Sequence, residues 1–221
     1  MIAMFEPAPS RRFEAITAII DLEGFTTFCS QPDNHRKLAH FLNFVFERVN
    51  DSLHAAGLTD NSTHFKFLGD GALYVWSLEN AEPKQLARQI VLALHNLYRI
   101  YPTEVIDELD DLNVFSVPKR IRVGIAQGEV TELRSVDGTS TEYVGFSINL
   151  AARLQHYFPA VGFFVSCTVS LPDDFLDEYS LIRAKTKSIR GMRGVEVEVR
   201  YVNEDTAHLS KREIAKWLTI S

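Results

Sequence analysis

The chain of 221 residues is poor in cysteine, has no surplus of positive charge and carries no long apolar run. Its two cysteines, Cys29 and Cys167, lie far apart and outside any CxxC or Cys/His zinc spacing. That excludes a disulfide framework and a structural zinc site, and both residues are expected to be buried thiols in a reducing compartment. A formal net charge of -6 argues against a general nucleic-acid partner, since nothing would neutralise a phosphate backbone. It still leaves room for a local basic pocket around a small anionic ligand. No segment approaches the ~18 to 20 uninterrupted apolar residues that cross a bilayer. The opening MIAMFEPAPSRRF is too polar and too broken by proline for a signal peptide. With 11 Gly, 8 Pro and 46% hydrophobic residues, collagen-like repeats and wholesale disorder are excluded as well. Walker A and GxGxxG spacings, internal repeats, linkers and low-complexity tracts are all missing. The expectation is a soluble, cytoplasmic, single-domain chain with no membrane partner and little room for accessory modules.

Hydrophobic patterning supplies the organisation. Residues 13–20 run apolar and β-branched into Asp21, as a buried strand does. A polar, Gly-containing turn follows at 22–27. From 34 to 56 the apolar positions Leu38, Phe41, Leu42, Val45, Phe46, Val49 and Leu53 fall at helical spacing. Two short apolar runs around Gly69-Asp70-Gly71 predict a hairpin, and Pro83 opens a helix reaching about Tyr101. After an acidic connector at 102–117 come a strand at 119–127, an exposed hairpin tip within 128–142 and a helix at 145–157. Further strands are expected at 161–166, about 179–187 and 194–203. The order β-α-β-β-α-β predicts an α+β fold: a ferredoxin-like core with a mixed, mainly antiparallel sheet, helices on one face and C-terminal β/α additions. Residues 1–12 are expected to be a tail, 13–205 the domain, and 206–221 a helical extension.

Four features can carry chemistry. Asp21 ends a buried strand and Asp70 sits in the bend between two others; the split order brings both to one sheet edge, where two repelling carboxylates suit Mg²⁺ or Mn²⁺. The plainer alternatives are a helix cap and a turn residue. The turn Glu23-Gly24-Phe25-Thr26-Thr27 follows a strand and opens a helical turn, so it offers unpaired N–H groups to phosphate oxygens. Asn149 and Arg153, four apart, share a helix face and can hydrogen-bond a sugar oxygen and a phosphoryl group. Lys185, Lys187, Arg190 and Arg193 form a local basic cluster, for which a solvated strand face is the plainer reading.

The features occur together and in one order. Asp21-Leu22-Glu23-Gly24-Phe25-Thr26 precedes Phe65-Lys66-Phe67-Leu68-Gly69-Asp70-Gly71, then Val123-Gly124-Ile125-Ala126-Gln127-Gly128, then Gly145-Phe146-Ser147-Ile148-Asn149-Leu150-Ala151-Ala152-Arg153-Leu154. This ordered set resembles the class III nucleotidyl cyclase catalytic domain over about residues 13–205. The GG(D/E)EF signature of the related diguanylate cyclases is absent. The resemblance implies a homodimer with active sites at the interface. It implies two divalent cations, Mn²⁺ or Mg²⁺, held by Asp21, Asp70 and the backbone of Leu22. The turn Glu23, Gly24, Phe25, Thr26 would cradle the triphosphate. The other subunit would supply Asn149 to the ribose and Arg153 to the α-phosphate, with Arg190, or second Lys187, on the terminal phosphates.

In that family two positions read the base: four residues before the second metal Asp, here Lys66, and seven before the Asn, here Glu142. Adenylyl cyclases typically carry Lys with Asp or Thr there, and guanylyl cyclases Glu with Cys. Lys donates only and ionised Glu accepts only, which leaves adenine, cytosine and uracil open. Glu reaches one methylene further than Asp, which suits a smaller base, and Phe65, Phe67 and Phe146 flank these positions and are candidates to narrow the pocket. A bare domain of this size resembles the stand-alone pyrimidine cyclases of Pycsar antiphage defence, which signal to a separate effector. The favoured expectation is UTP conversion to cyclic UMP; the alternatives are an adenylate cyclase, a cytidylate cyclase, or a degenerate cyclase-like regulatory domain.

Overall fold

The computed structural model describes residues 5, 11–32, 34–59, 63–105, 117–172, 175, 179–192 and 195–220. Its spine is β1 (Arg11–Glu23), whose alternation is apolar on both sides. Phe13, Ala15 and Ile19 face one hydrophobic cluster; Ile16, Ala18, Ile20 and Leu22 face the other. A strand apolar on both faces must be covered on both.

β1 lies between β3 (Gly71–Ser77) and β4 (Arg120–Arg134), antiparallel to each. β2 (Thr63–Phe67) pairs with β3, and β5 (Thr141–Gly145) folds back on β4. Beyond β4 come β6 (Phe163–Ser166), β8 (Glu198–Val202), β7 (Leu181–Thr186) and β9 (Leu218–Ile220), giving the order β2-β3-β1-β4-β6-β8-β7-β9. Only the β4–β6 pairing is parallel among these. The sheet is therefore mixed and mainly antiparallel, as the patterning predicts.

The helices occupy both faces rather than one. α1 (Phe25–Cys29), α2 (Leu38–Ala55) and α3 (Pro83–Ile100) cover the side of Ile16, Ile20, Tyr74 and Trp76. α2 has no side-chain N-cap, yet it buries Phe41, Val45, Phe46, Val49 and Leu53. At about 1.5–3 kcal/mol per buried side chain, packing outweighs the ~1 kcal/mol a cap supplies. α3 is capped by Glu82, whose carboxylate accepts from the Lys84 and Gln85 N–H groups, with Pro83 in the first turn. α4 (Phe146–Leu154) takes the opposite face, where Leu150, Ala151 and Leu154 meet Ile19, Val75 and Ala126. It approaches so closely that a Cβ on Gly124 would stand 2.1 Å from the Ala151 carbonyl oxygen.

Several boundaries differ from the expected ones. The helical pattern from 34 begins with a 3-10 turn, Asn34–Arg36, and becomes α-helix at Leu38. β4 continues to Arg134, so the exposed tip shrinks to 135–140. α4 stops at Leu154. The C-terminal stretch holds a short helix, α5 (Lys211–Ile214), with a Ser210/Glu213 capping box, and then β9, which joins the sheet against β7 and was not expected from patterning. Cys29 is exposed and Cys167 half-buried, so neither is the fully buried thiol expected. Residues 106–116 of the acidic connector and most of the 1–12 tail lie outside the described residues.

Candidate active site

β1 ends against the turn joining β2 to β3. Asp21 is in register with Gly71 on β3 and with Arg122 on β4, and the Leu22 N–H donates to the Asp70 carbonyl at 3.1 Å. The turn requires its glycines. Gly69 has φ +95, and a Cβ on Gly71 would stand 2.5 Å from the Ile20 carbonyl. The Gly-Asp-Gly sequence thus fixes Asp70 beside Asp21.

The Asp21 side chain is 16% exposed. Burial holds its carboxyl above the usual carboxylate range, and the charge of Asp70 adds to the effect. His156 and Arg122 oppose it. Two repelling carboxylates in a half-dry corner are a donor set that fits a hard divalent cation. Among the described residues no group of three or more His, Cys, Asp or Glu side chains converges to hold a metal. A cation held by the pair would take its further ligands from backbone, water or substrate.

Two residues at this corner were missed in the sequence. Arg122, 13% exposed, donates from Nη2 to Glu23 Oε1 at 2.6 Å. His156, just past α4, lies with Nε2 3.9 Å from Asp21 Oδ2 and Nδ1 3.4 Å from Arg122 Nη1. Only the β1–β4 register puts Arg122 opposite Asp21, and only the seating of α4 brings in His156. The strand pattern of 119–127 held the first signal, but not its register.

The 23–26 turn divides its labour. Gly24 takes φ +88 and precedes α1 without a side-chain cap. The Phe28 N–H returns to the Gly24 carbonyl at 3.0 Å, so the N–H groups of Phe25, Thr26 and Thr27 lack intrahelical partners. The Phe25 ring packs on Phe41, with centroids 6.4 Å apart, and anchors the turn. The Glu23 carboxylate is taken by Arg122 and, at 3.5 Å, by Arg120. Its side chain therefore faces β4 and not the turn's free N–H groups.

On α4, Asn149 and Arg153 are exposed, away from the buried Leu150, Ala151 and Leu154. The Arg153 guanidinium rests near the 189–192 turn, 3.6 Å from where a Gly191 Cβ would sit. That turn carries the exposed Arg190. Lys187 is also exposed, its N–H bonded to the Tyr157 hydroxyl at 2.9 Å and the Trp217 carbonyl at 3.0 Å. Lys185 pairs with Glu198 at 3.3 Å, and Arg193 lies outside the described residues.

Lys66 of β2 and Glu142 of β5, 76 positions apart, form a direct ion pair, although β2 is paired with β3 and β5 with β4. His64 and Tyr143 adjoin them: the rings lie 4.6 Å apart, with Tyr143 Oη 2.9 Å from His64 Nδ1. Strand alternation sends Phe65 and Phe67 the other way, Phe67 onto Phe46 of α2 and Phe65 onto Tyr74. These two phenylalanines therefore do not narrow the space around Lys66. Phe146, at the start of α4, is 57% exposed.

The carboxylate corner makes no contact with Asn149, Arg153, Lys66 or Glu142 among the described interactions. A cavity of about 430 Å³ beside Tyr98 and Lys119 is lined also by Arg120 and Asp205, and one of about 450 Å³ lies beside Asn50, His54 and Phe65; neither is lined by Asp21 or Asp70. No described helix is long and apolar enough to cross a membrane.

No protein-family model matches the sequence. No curated protein matches it either. Solved structures do match. The guanylyl cyclase Cya2 superposes with TM-score 0.65 at 21% identity, covering 87% of this chain and 93% of that one. The adenylyl cyclase CyaB from P. aeruginosa superposes with TM-score 0.68 at 17% identity, covering 93% and 98%. A bacterial light-regulated adenylyl cyclase reaches TM-score 0.65 at 16% identity, over 95% of this chain and 58% of that one. The fold of this chain is that of the class III nucleotidyl cyclase catalytic domain.

Proposed function

We propose that this chain is a metal-dependent nucleotidyl cyclase that converts UTP to 3′,5′-cyclic UMP and pyrophosphate. The observation that carries the reading is the Asp21–Asp70 pair, two carboxylates brought together at one strand end on a cyclase fold. In this reading Asp21, Asp70 and the Leu22 backbone hold two divalent ions, Mg²⁺ or Mn²⁺. Bound there, the ions lower the pKa of the ribose hydroxyl and neutralise the leaving pyrophosphate. The free N–H groups after Gly24 receive triphosphate oxygens. The ribose 3′-oxygen attacks the α-phosphorus, its proton passes to water, and the bond to the bridging oxygen breaks.

Among the described residues Asn149 and Arg153 make no contact with the carboxylate corner of their own chain, and this supports a homodimer in which each site is completed by a second copy. That copy presents Asn149 to the ribose and Arg153 to the α-phosphate, while Arg190 and Lys187 take the terminal phosphates. The Arg153 guanidinium already lies beside the turn that carries Arg190, which suits joint service to one triphosphate. Residues 13–205 form the catalytic domain in this reading.

Lys66 and Glu142 read the base. Their contact presents a donor beside an acceptor, the complement of O4 and N3–H on uracil. The same pair complements N1 and the 6-amino group of adenine, so adenylate cyclase is the second reading. A separate effector responding to the cyclic nucleotide, and an antiphage role, rest on family resemblance alone.

Incubating the pure protein with Mn²⁺ and each of the four nucleoside triphosphates tests the proposal. Fastest pyrophosphate release from UTP is expected. Fastest release from ATP transfers the assignment to the second reading, and no release from any overturns the cyclase. Mixing Asp21→Ala with Arg153→Ala chains should restore activity through one intact site per heterodimer.

A further inference from the structure

Arg122 poses a problem for a metal site. It is an arginine, always charged, opposite Asp21 in the β1–β4 register and 13% exposed. Its charge already favours the ionised form of Asp21. An Arg–carboxylate pair is strong and often bidentate, so an unrestrained Arg122 would occupy the carboxylate a cation needs. What restrains it is Glu23, two residues further along β1.

Glu23 is itself fixed. Oε1 accepts from Arg122 Nη2 at 2.6 Å, and Oε2 lies 3.5 Å from Arg120 Nη1. Arg120 donates to the Ala160 carbonyl at 2.7 Å and pairs with Asp205 at 3.6 Å. Asp205 in turn accepts from the Tyr98 hydroxyl at 2.6 Å and the Gly162 N–H at 3.0 Å. The carboxylate of Glu23 is thus the last link of a polar chain that starts in α3 and runs across the β4–β6 connection. His156 Nδ1, 3.4 Å from Nη1, receives the other side of the Arg122 fork.

We infer that Glu23 is a positioning residue of the metal site: anchored through Arg120, it holds the Arg122 guanidinium away from Asp21 and so keeps that carboxylate available to a divalent cation. This rests on the reading of Asp21 and Asp70 as the metal pair. It also gives Glu23 a role different from direct contact with the triphosphate.

The test is Mn²⁺ binding to the nucleotide-free protein, followed by electron paramagnetic resonance, in wild type, Glu23→Ala, Arg122→Ala and the double variant. Glu23→Ala should weaken Mn²⁺ at least fivefold when Arg122 is present and less than twofold when it is absent. Glu23→Gln, which keeps an oxygen for Arg122 but not the charge, should stay within twofold of wild type and guards against misfolding of the alanine variant. An equal loss from Glu23→Ala in both backgrounds, with Glu23→Gln as weak as Glu23→Ala, would mean that Glu23 contributes only its charge and overturns the clamp. So would unchanged binding in Glu23→Ala. An Asp21→Ala protein that binds Mn²⁺ like wild type would instead overturn the metal reading underneath.

Discussion

The Asp21–Asp70 corner and the Lys66–Glu142 pair solve opposite electrostatic problems on one domain. At the corner two like charges are forced together by a strand end and a glycine turn, and Asp21 pays for its burial with a raised pKa. At the pair, opposite charges meet directly and neutralise each other. The first arrangement is unfinished in the chain alone and calls for a cation. The second is complete as it stands, so a nucleobase read there, as proposed, would have to share or exchange a contact already made. Charge balance thus separates the place where an ion should enter from the place where hydrogen bonding should discriminate.

The largest test of this contrast is Asp21→Ala. If the corner binds the catalytic ions, turnover should fall about 10³-fold, equivalent to ~4 kcal/mol of barrier, with nucleotide discrimination in the residue of activity unchanged. Steady-state assays on all four nucleotides read both quantities. Next in size is Lys66→Ala, where loss of a donor to the base should cost about 10–100-fold in kcat/KM and flatten the preference among nucleotides. A comparable loss of Mn²⁺ binding in that variant would erase the distinction between the two regions.

Smaller effects appear in the stability of the metal-free protein. The raised pKa of Asp21 means that its ionised form is disfavoured on folding, so Asp21→Asn should raise the melting temperature at neutral pH by a few degrees. The sign follows from the two states. Above the raised folded pKa the charge costs stability; as pH falls through that value toward the ordinary 3.8 the cost disappears, and the variant should lose its advantage. Calorimetry between pH 4 and 8 checks the trend. The smallest effect is expected from Lys66→Ala with Glu142→Ala together. That pair is partly exposed, 41% and 34%, and pairs of that kind contribute about 0–1 kcal/mol, so melting should barely shift. A larger drop there than the gain from Asp21→Asn would invert the comparison.

Much of the fold was legible because local patterns were unambiguous. The apolar run of β1, the helical spacing from Leu38 to Leu53, Pro83 opening α3 and the Gly-Asp-Gly bend each follow from residue chemistry over a few positions. β9 was not legible: three residues, of which only Leu218 is buried, carry too little periodicity to announce a strand. The side of the sheet chosen by α4 was not legible from helical spacing either. It depends on the missing side chain at Gly124, which lets the Ala151 backbone come close.

The candidate site divides in the same way. By itself the sequence determined which chemistry-bearing residues exist and in what order: Asp21, Lys66, Asp70, Glu142, Asn149 and Arg153, in motifs that resemble one family. It also determined the glycines that make the bend at Asp70 possible. Tertiary structure alone decided that Phe65 and Phe67 pack on Tyr74 and Phe46, that His64 and Tyr143 stand beside Lys66, and that Glu23 spends its carboxylate on Arg120 and Arg122. The physical reason is that strand register and face are set by pairing between segments far apart in the chain, and a shift of one residue would exchange every one of these neighbours.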